Sequence, residues 1–506
     1  MPNLPLKEPR TRLRKHLPQP EALGLIPEAM ARQYTAIPLE VSDNVLRVAI
    51  ANPADILALE ALATQSQMRI EPEVASAEEI QEAIDFNYQS YDEIEKQISS
   101  ISLPSETIEE RIRLDTVTDA PVARALTLII DEAVKARASD IHLQPQEDKL
   151  RVRYRIDGTL HDMLSLPLAT ATPLISRIKI LANMNIADHH RPQDGQFSVK
   201  TKGRRSIDIR VGIIATVYGE MATLRLLDKS KAIMSLSELG FLPESLSMYG
   251  EMLKVPYGMI LVSGPTGAGK TTTLYASINS LDHNGRNIIT IEDPVEYRFK
   301  SINQIQVNPR AGLTFASGLR SILRLDPDVI LIGEIRDAET AKIAIQSALT
   351  GHLVLSSVHA NDAVGVVLRL LDLGVEPFLV SSALIGVVAQ RMVRRICLDC
   401  ARPMVAPLLE RMTYSKETGE ERNEFLYGSG CKSCAHTGYQ GRTGIFEILH
   451  MSDEIRTMLL NGTTATQLRT QAIKEGMIPL IRDGMLKVKA DTTTPSEVLR
   501  NAYSVD

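Results

Sequence analysis

A chain of 506 residues suggests about three domains, and 44% hydrophobic with 23% charged residues is the balance of a soluble globular protein. With 56 Lys+Arg against 62 Asp+Glu the formal charge is -6, which gives no global attraction to phosphate backbones; the absence of Trp and 4% aromatic residues argue against stacked-base reading, so nucleic acid is not expected as a partner. No segment reaches the ~18 uninterrupted apolar residues of a membrane span; the nearest, Phe378 to Ala389, is short and includes Ser381, Ser382 and Gly386.

Residues 1–20 hold five Pro and the basic cluster Lys7, Arg10, Arg12, Arg14 and Lys15 with no apolar core behind it, which reads as a mobile arm and not as a secretory signal. A small unit follows over 21–91, with helices expected at Glu28–Tyr34, Ala54–Thr64 and Ala77–Tyr88 and a strand at Val45–Ile50 closed by Asn52-Pro53. This unit carries no catalytic constellation. Residues 92–111, rich in Ser and Glu around Pro104, read as a linker. In a second unit, 112–238, Leu150, Val152, Tyr154 and Ile156 alternate with Arg151, Arg153 and Arg155 before Asp157-Gly158, a strong hairpin signal. The third unit, 239–506, alternates apolar strands with helices and predicts an α/β parallel sheet.

Gly264-Pro265-Thr266-Gly267-Ala268-Gly269-Lys270-Thr271 fits G-x-x-x-x-G-K-[ST]. The apolar strand Met259–Ser263 precedes it and a helix from Thr272 to Leu281 is expected after it. Glycines let backbone N–H groups close around phosphates, and the helix N-terminus adds positive potential. Residues 264–272 are therefore the expected ATP-binding set, with Lys270 reaching the β/γ-phosphates and the Thr271 hydroxyl binding Mg²⁺.

Three more apolar runs each end in polar residues: Asn287–Ile291 before Glu292 and Glu296, Asp328–Gly333 before Glu334, and His352–Val358 before His359. Ligands of open parallel sheets sit beyond the carboxyl ends of the strands. Glu292, Glu296, Glu334 and His359 are therefore expected to rim one nucleotide. Glu334 is the candidate base for the attacking water. Glu292 and Glu296 either hold Mg²⁺-bound water or cap structure; His359 either senses the γ-phosphate or is a core histidine. Two C-x-x-C knuckles, Cys397/Cys400 and Cys431/Cys434, within a module over 395–442, carry a tetrahedral Zn²⁺ signature and leave no open position for catalysis. Four Cys in two pairs suit a cytoplasmic chain with one metal site.

These boxes, read in order as GPTGAGKTTTLYA, TIEDPVEY, LRLDPDVILIGEIRDAETA and TGHLVLSSVHANDA, together with ASDIHLQP, RVRYRIDGTL and RPQDGQF, resemble the secretion traffic ATPases, the motors of type II secretion and type IV pilus assembly. The resemblance spans roughly residues 110–506. It implies a multidomain α/β chain: a P-loop motor domain with a RecA-like parallel sheet and a tetracysteine zinc module, a PAS-like α/β middle domain and a small N-terminal αβ domain. It implies a homohexamer in the cytoplasm, peripheral to the inner membrane, docked through its N-terminal domain to the cytoplasmic segment of a bitopic membrane protein and acting on a secretion platform. It also brings Arg210 and Arg225 of the middle domain onto the phosphates and places Arg320 and Arg324, one turn apart on a helix, at an interface. Two departures are visible: Gly333 stands where an ordinary Walker B Asp would, and Met221 follows Gly219-Glu220 where the family often has Arg. The missing R-L-G-x-x-L repeat favours type II secretion over pilus extension. A nucleotide-gated scaffold and a DNA-translocating ATPase are the readings from other classes; intact Lys270 and Glu334 argue against the first, and the acidic charge against the second.

Overall fold

The computed structural model describes residues 18–42, 44–77, 79–81, 83–84, 88, 119–200, 206–228 and 234–502. The basic cluster of the arm and the expected linker lie outside the described residues, and the helix expected at Ala77–Tyr88 does so in part. The chain divides into two compact units, Met1–Lys231 with Gly428–Tyr439, and Ala232–Tyr427 with Gln440–Asp506.

In the first unit, helices Pro20–Leu25, Glu28–Tyr34 and Ile56–Ser66 accompany a three-stranded sheet of β1 (Ala36–Ser42), β2 (Val45–Ile50) and β3 (Arg69–Val74) in that order. Ile26, Ile37, Leu46, Val48, Leu62 and Ile84 make its core. The third helix starts two residues later than the sequence suggests because the Asp55 side chain caps it, accepting from the Ala58 N–H at 3.1 Å. Strands β1 and β3 are the elements the sequence hides, each with an internal proline, Pro38 and Pro72. Both are edge strands of the sheet, where a missing N–H costs no ladder bond, and β1 takes a register shift between Pro38 and Glu40.

The following segment forms a six-stranded sheet from β4 (Ala138–Pro145), β5 (Lys149–Ile156), β6 (Thr159–Pro167), β7 (Gln193–Lys200), β8 (Ser206–Thr216) and β9 (Gly219–Asp228), ordered β6-β5-β4-β9-β8-β7 with every neighbour antiparallel. Helices Asp119–Lys135 and Ala171–Leu181 share its core. The hairpin signal is realised: β5 buries every second residue, and Asp157 and Gly158 take φ of 47° and 91° in the turn to β6.

The second unit is built on a seven-stranded sheet: β10 (Gly258–Ser263), β11 (Ile288–Glu292), β12 (Asn303–Gln306), β13 (Val329–Ile332), β14 (Leu353–Val358), β15 (Leu384–Ile396) and β18 (Tyr439–His450), ordered β12-β11-β13-β14-β10-β15-β18. The first six run parallel. β10, β11, β13 and β14 are buried along their whole length, as expected where helices cover both faces of a parallel sheet. Met259 and Leu261 join one core with Ile330 and Val354, while Ile260 and Val262 join the other with Val329 and Leu353. A two-stranded sheet of β16 (Ala401–Val405) and β17 (Glu424–Gly428) completes the strands.

The run from Phe378 to Ala389 is divided between the short helix Pro377–Ala383 and β15. Among the described residues no helix is long and apolar enough to cross a membrane.

Candidate active site

β10 leads into the glycine-rich loop, and the next helix, Lys270–Asn279, starts two residues before the expected one, on Gly269 in the left-handed region (φ 87°). Gly264 is required by contact: a Cβ there would lie 2.4 Å from the Gln390 carbonyl oxygen and 2.9 Å from the Ala268 Cβ. Lys270 folds back on the loop, its Nζ donating to the carbonyls of Gly264 at 2.8 Å and Pro265 at 3.1 Å. Burial holds its pKa below the usual lysine value; nearby Arg391 acts in the same direction and Glu334 against it.

Glu334 follows β13, and its side chain is only 14% exposed. One carboxylate oxygen pairs with Arg336, and the other lies 3.6 Å from His359 Nε2, at the end of neighbouring β14. Strand order thus brings Glu334, His359 and Lys270 to one edge. Around them the Ser263 hydroxyl donates to the Ala360 carbonyl at 2.9 Å and accepts its N–H at 3.1 Å, so the end of β10 is tied to the loop after His359.

Glu292 departs from the expected rim. It ends β11 inside the core, 3% exposed, and its carboxylate accepts from the Tyr275 hydroxyl, from Thr290 Oγ1 at 2.6 Å and from Gln304 Nε2 at 3.1 Å. That favours the structural alternative for this residue. The same Tyr275 hydroxyl accepts the Glu296 N–H at 3.2 Å, so one tyrosine on the loop's own helix pins the acidic box. Its hydroxyl is pushed well above the ordinary tyrosine pKa by burial and by Glu292. His352 lies before β14, its Nδ1 2.8 Å from the Ser347 carbonyl, at the opposite strand end from His359.

Arg320 lies on helix Phe315–Ile322 and pairs with Glu339, but Arg324 falls beyond that helix, so the two are not one turn apart on a single helix as expected. In the first unit Arg210 and Arg225 face each other across β8 and β9, and Arg225 Nε donates to Asp140 at 2.9 Å.

Sequence reasoning missed Tyr275, Gln390 and Arg336. Tyr275, inside the phosphate-loop box, and Arg336, inside the Walker B box, carried a local signal; Gln390 did not.

The four cysteine sulfurs lie within 4.8 Å of one another. Tetrahedral Zn²⁺ with bonds of about 2.3 Å sets its sulfurs about 3.8 Å apart, and Cys431 and Cys434 Sγ are separated by 3.7 Å. Backbone N–H groups of Cys431 at 3.1 Å and Gly438 at 3.3 Å donate to Cys434 Sγ, as a thiolate ligand requires. The donor set fits a structural zinc ion.

A glycine-rich loop and its lysine at the carboxyl edge of a parallel sheet, with a largely buried carboxylate just beyond a strand of the same sheet, define a P-loop nucleoside triphosphatase. The chain belongs to the type II/IV secretion system protein family, whose model matches residues 115–500, and it is an ATPase. Residues 4–93 match the MshEN domain. The chain is 40% identical to the type II secretion system protein E of Dickeya dadantii, over 95% of this chain and 97% of that one. It is also 40% identical to the type IV pilus assembly ATPase PilB of Myxococcus xanthus, over 96% and 87%. Among solved structures it resembles the pilus retraction motor PilT with bound ADP (TM-score 0.50, 26% identity, 75% of this chain and 97% of that one). It shares a fold with the Legionella pneumophila ATPase DotB (TM-score 0.56, 20% identity, 73% and 93%). The resemblance read from the four boxes is borne out.

Proposed function

We propose that this ATPase is a homohexameric motor that powers protein export through a type II secretion system, driving pseudopilus assembly at the inner membrane. The near end-to-end overlap with the Dickeya dadantii protein carries the reading. The sheet edge supplies chemistry that suits it. Water attacks the γ-phosphorus, its proton passes to Glu334, and ADP leaves. Lys270 and the loop amides hold the phosphates, the Thr271 hydroxyl takes Mg²⁺ with the acidic box behind it, and His359 senses the γ-phosphate. Arg210 and Arg225 neutralise charge growing in the transition state. The N-terminal unit docks the motor from the cytoplasm to a bitopic membrane protein, and the knuckles Cys397, Cys400, Cys431 and Cys434 hold one structural Zn²⁺. Equal identity to the Myxococcus xanthus PilB favours pilus assembly as the second reading.

The test is complementation. A chain lacking residues 1–110 is expected to keep basal phosphate release, because every catalytic box lies after residue 112, and to lose membrane docking and export. Export at normal levels by the truncated chain removes the docking role. Restoration of pili but not of export by the full chain selects the second reading.

For the metal, the purified chain is expected to carry about one Zn²⁺ per monomer. Changing Cys397 and Cys400 to Ser should release it and open the module locally while ATP binding survives. Metal analysis that finds no zinc in fresh, reduced protein refutes the assignment.

A further inference from the structure

We propose that Gln390 is a positioning residue that locks the phosphate loop in its binding conformation. The inference rests on reading Gly264–Thr271 as the ATP site. β15 runs parallel to β10 with Ala389 opposite Ser263, so Gln390 is the next residue along, beside Gly264 at the start of the loop. Its side chain is buried, at 2% exposure. Nε2 donates to the Ala268 carbonyl at 2.6 Å, and Oε1 accepts from the Thr273 hydroxyl at 2.8 Å. The partners fix the amide's orientation, since a carbonyl can only accept.

The Gln390 amide offers a donor to the loop and an acceptor to the helix at once. Ala268 and Thr273 are both buried, so neither finds water if the amide goes. The peptide between Ala268 and Gly269 is planar, so anchoring its C=O on Gln390 aims the Gly269 N–H the opposite way, away from β15. The loop's N–H groups are its phosphate ligands. Fixing that peptide prepays the ordering that nucleotide binding would otherwise require.

The experiment compares the full-length parent with Gln390→Glu and Gln390→Met in steady-state MgATP hydrolysis at pH 8 and pH 6, with nucleotide-free thermal midpoints measured alongside. An ionised carboxylate still accepts from Thr273 but opposes the Ala268 carbonyl. In Gln390→Glu, KM is expected to rise roughly tenfold to a hundredfold at pH 8, with kcat changed less. Protonation at pH 6, favoured by burial, restores a donor and recovers most of the loss. Gln390→Met raises KM at both pH values. The proposal is overturned if both variants keep KM within about twofold of the parent at pH 8. It is also overturned if the Gln390→Glu loss is the same at both pH values and follows a fall in the nucleotide-free midpoint, which marks core packing only. A parent that shows no turnover sinks the ATP-site reading instead, so the two failures are distinct.

Discussion

Glu334→Gln is expected to lower ATP turnover roughly 10²–10⁴-fold, the cost of losing a general base, while ATP affinity stays nearly unchanged. The amide keeps the size and shape of the carboxylate but cannot take the proton from the attacking water. Phosphate holding does not pass through this residue. In the proposed mechanism it rests on Lys270, Thr271 and the loop amides at the end of β10, while Glu334 lies two strands over, beyond β14, between Arg336 and His359. Single-turnover hydrolysis beside equilibrium ATP binding separates the two effects. Turnover within about tenfold of the parent would move the base elsewhere. Glu296 then becomes the alternative, because the Glu292 carboxylate is already engaged by Tyr275, Thr290 and Gln304.

Lys270→Ala should fail differently, losing binding and turnover together. The ammonium presently rests on the carbonyls of Gly264 and Pro265. A γ-phosphate gives this half-buried cation a true counter-charge, and burial makes that exchange favourable. A lost charged hydrogen bond weakens ATP binding by roughly 10–100-fold, and a missing transition-state donor removes a further 10²–10³-fold or so from kcat. The pair of variants therefore divides cleanly: Glu334→Gln retains ATP without cleaving it, and Lys270→Ala does not retain it. Parental ATP affinity in Lys270→Ala would show that the loop amides alone hold the phosphates.

Features fixed by neighbouring residues were legible in the sequence. The glycine spacing of the phosphate loop, the buried β10 before it and the Asp157-Gly158 turn are each written within a dozen residues, and each is where its pattern places it. The convergence of Glu334 and His359 followed from a second rule, that parallel strands present their ends together. What stayed hidden depends on distant partners. Gln390 meets Ala268 across 122 residues, and no periodicity marks it out from its apolar neighbours on β15. Glu292 looked like its fellow carboxylates until Tyr275, 17 residues earlier, was seen to claim it. β1 and β3, which carry Pro38 and Pro72, went undrawn because a sequence does not say which strands will be edges. Arg324 was placed on a helix whose end at Ile322 no strong breaker announces.

The place of β10 in its sheet bears on how the protein is made. Ser263, the last residue before the phosphate loop, is paired on one side with Val358 and on the other with Ala389, which are 95 and 126 positions further along the chain (358 − 263 and 389 − 263). Both flanks of the loop are thus synthesised long after it. A nascent chain that has just emitted Thr271 carries every residue of the loop but neither strand that holds it, and contacts this distant in sequence are slow to close. A chain cut short before Leu384 therefore ends with β10 unpaired along one edge, a species prone to aggregate and, lacking Gln390, without the brace of its loop.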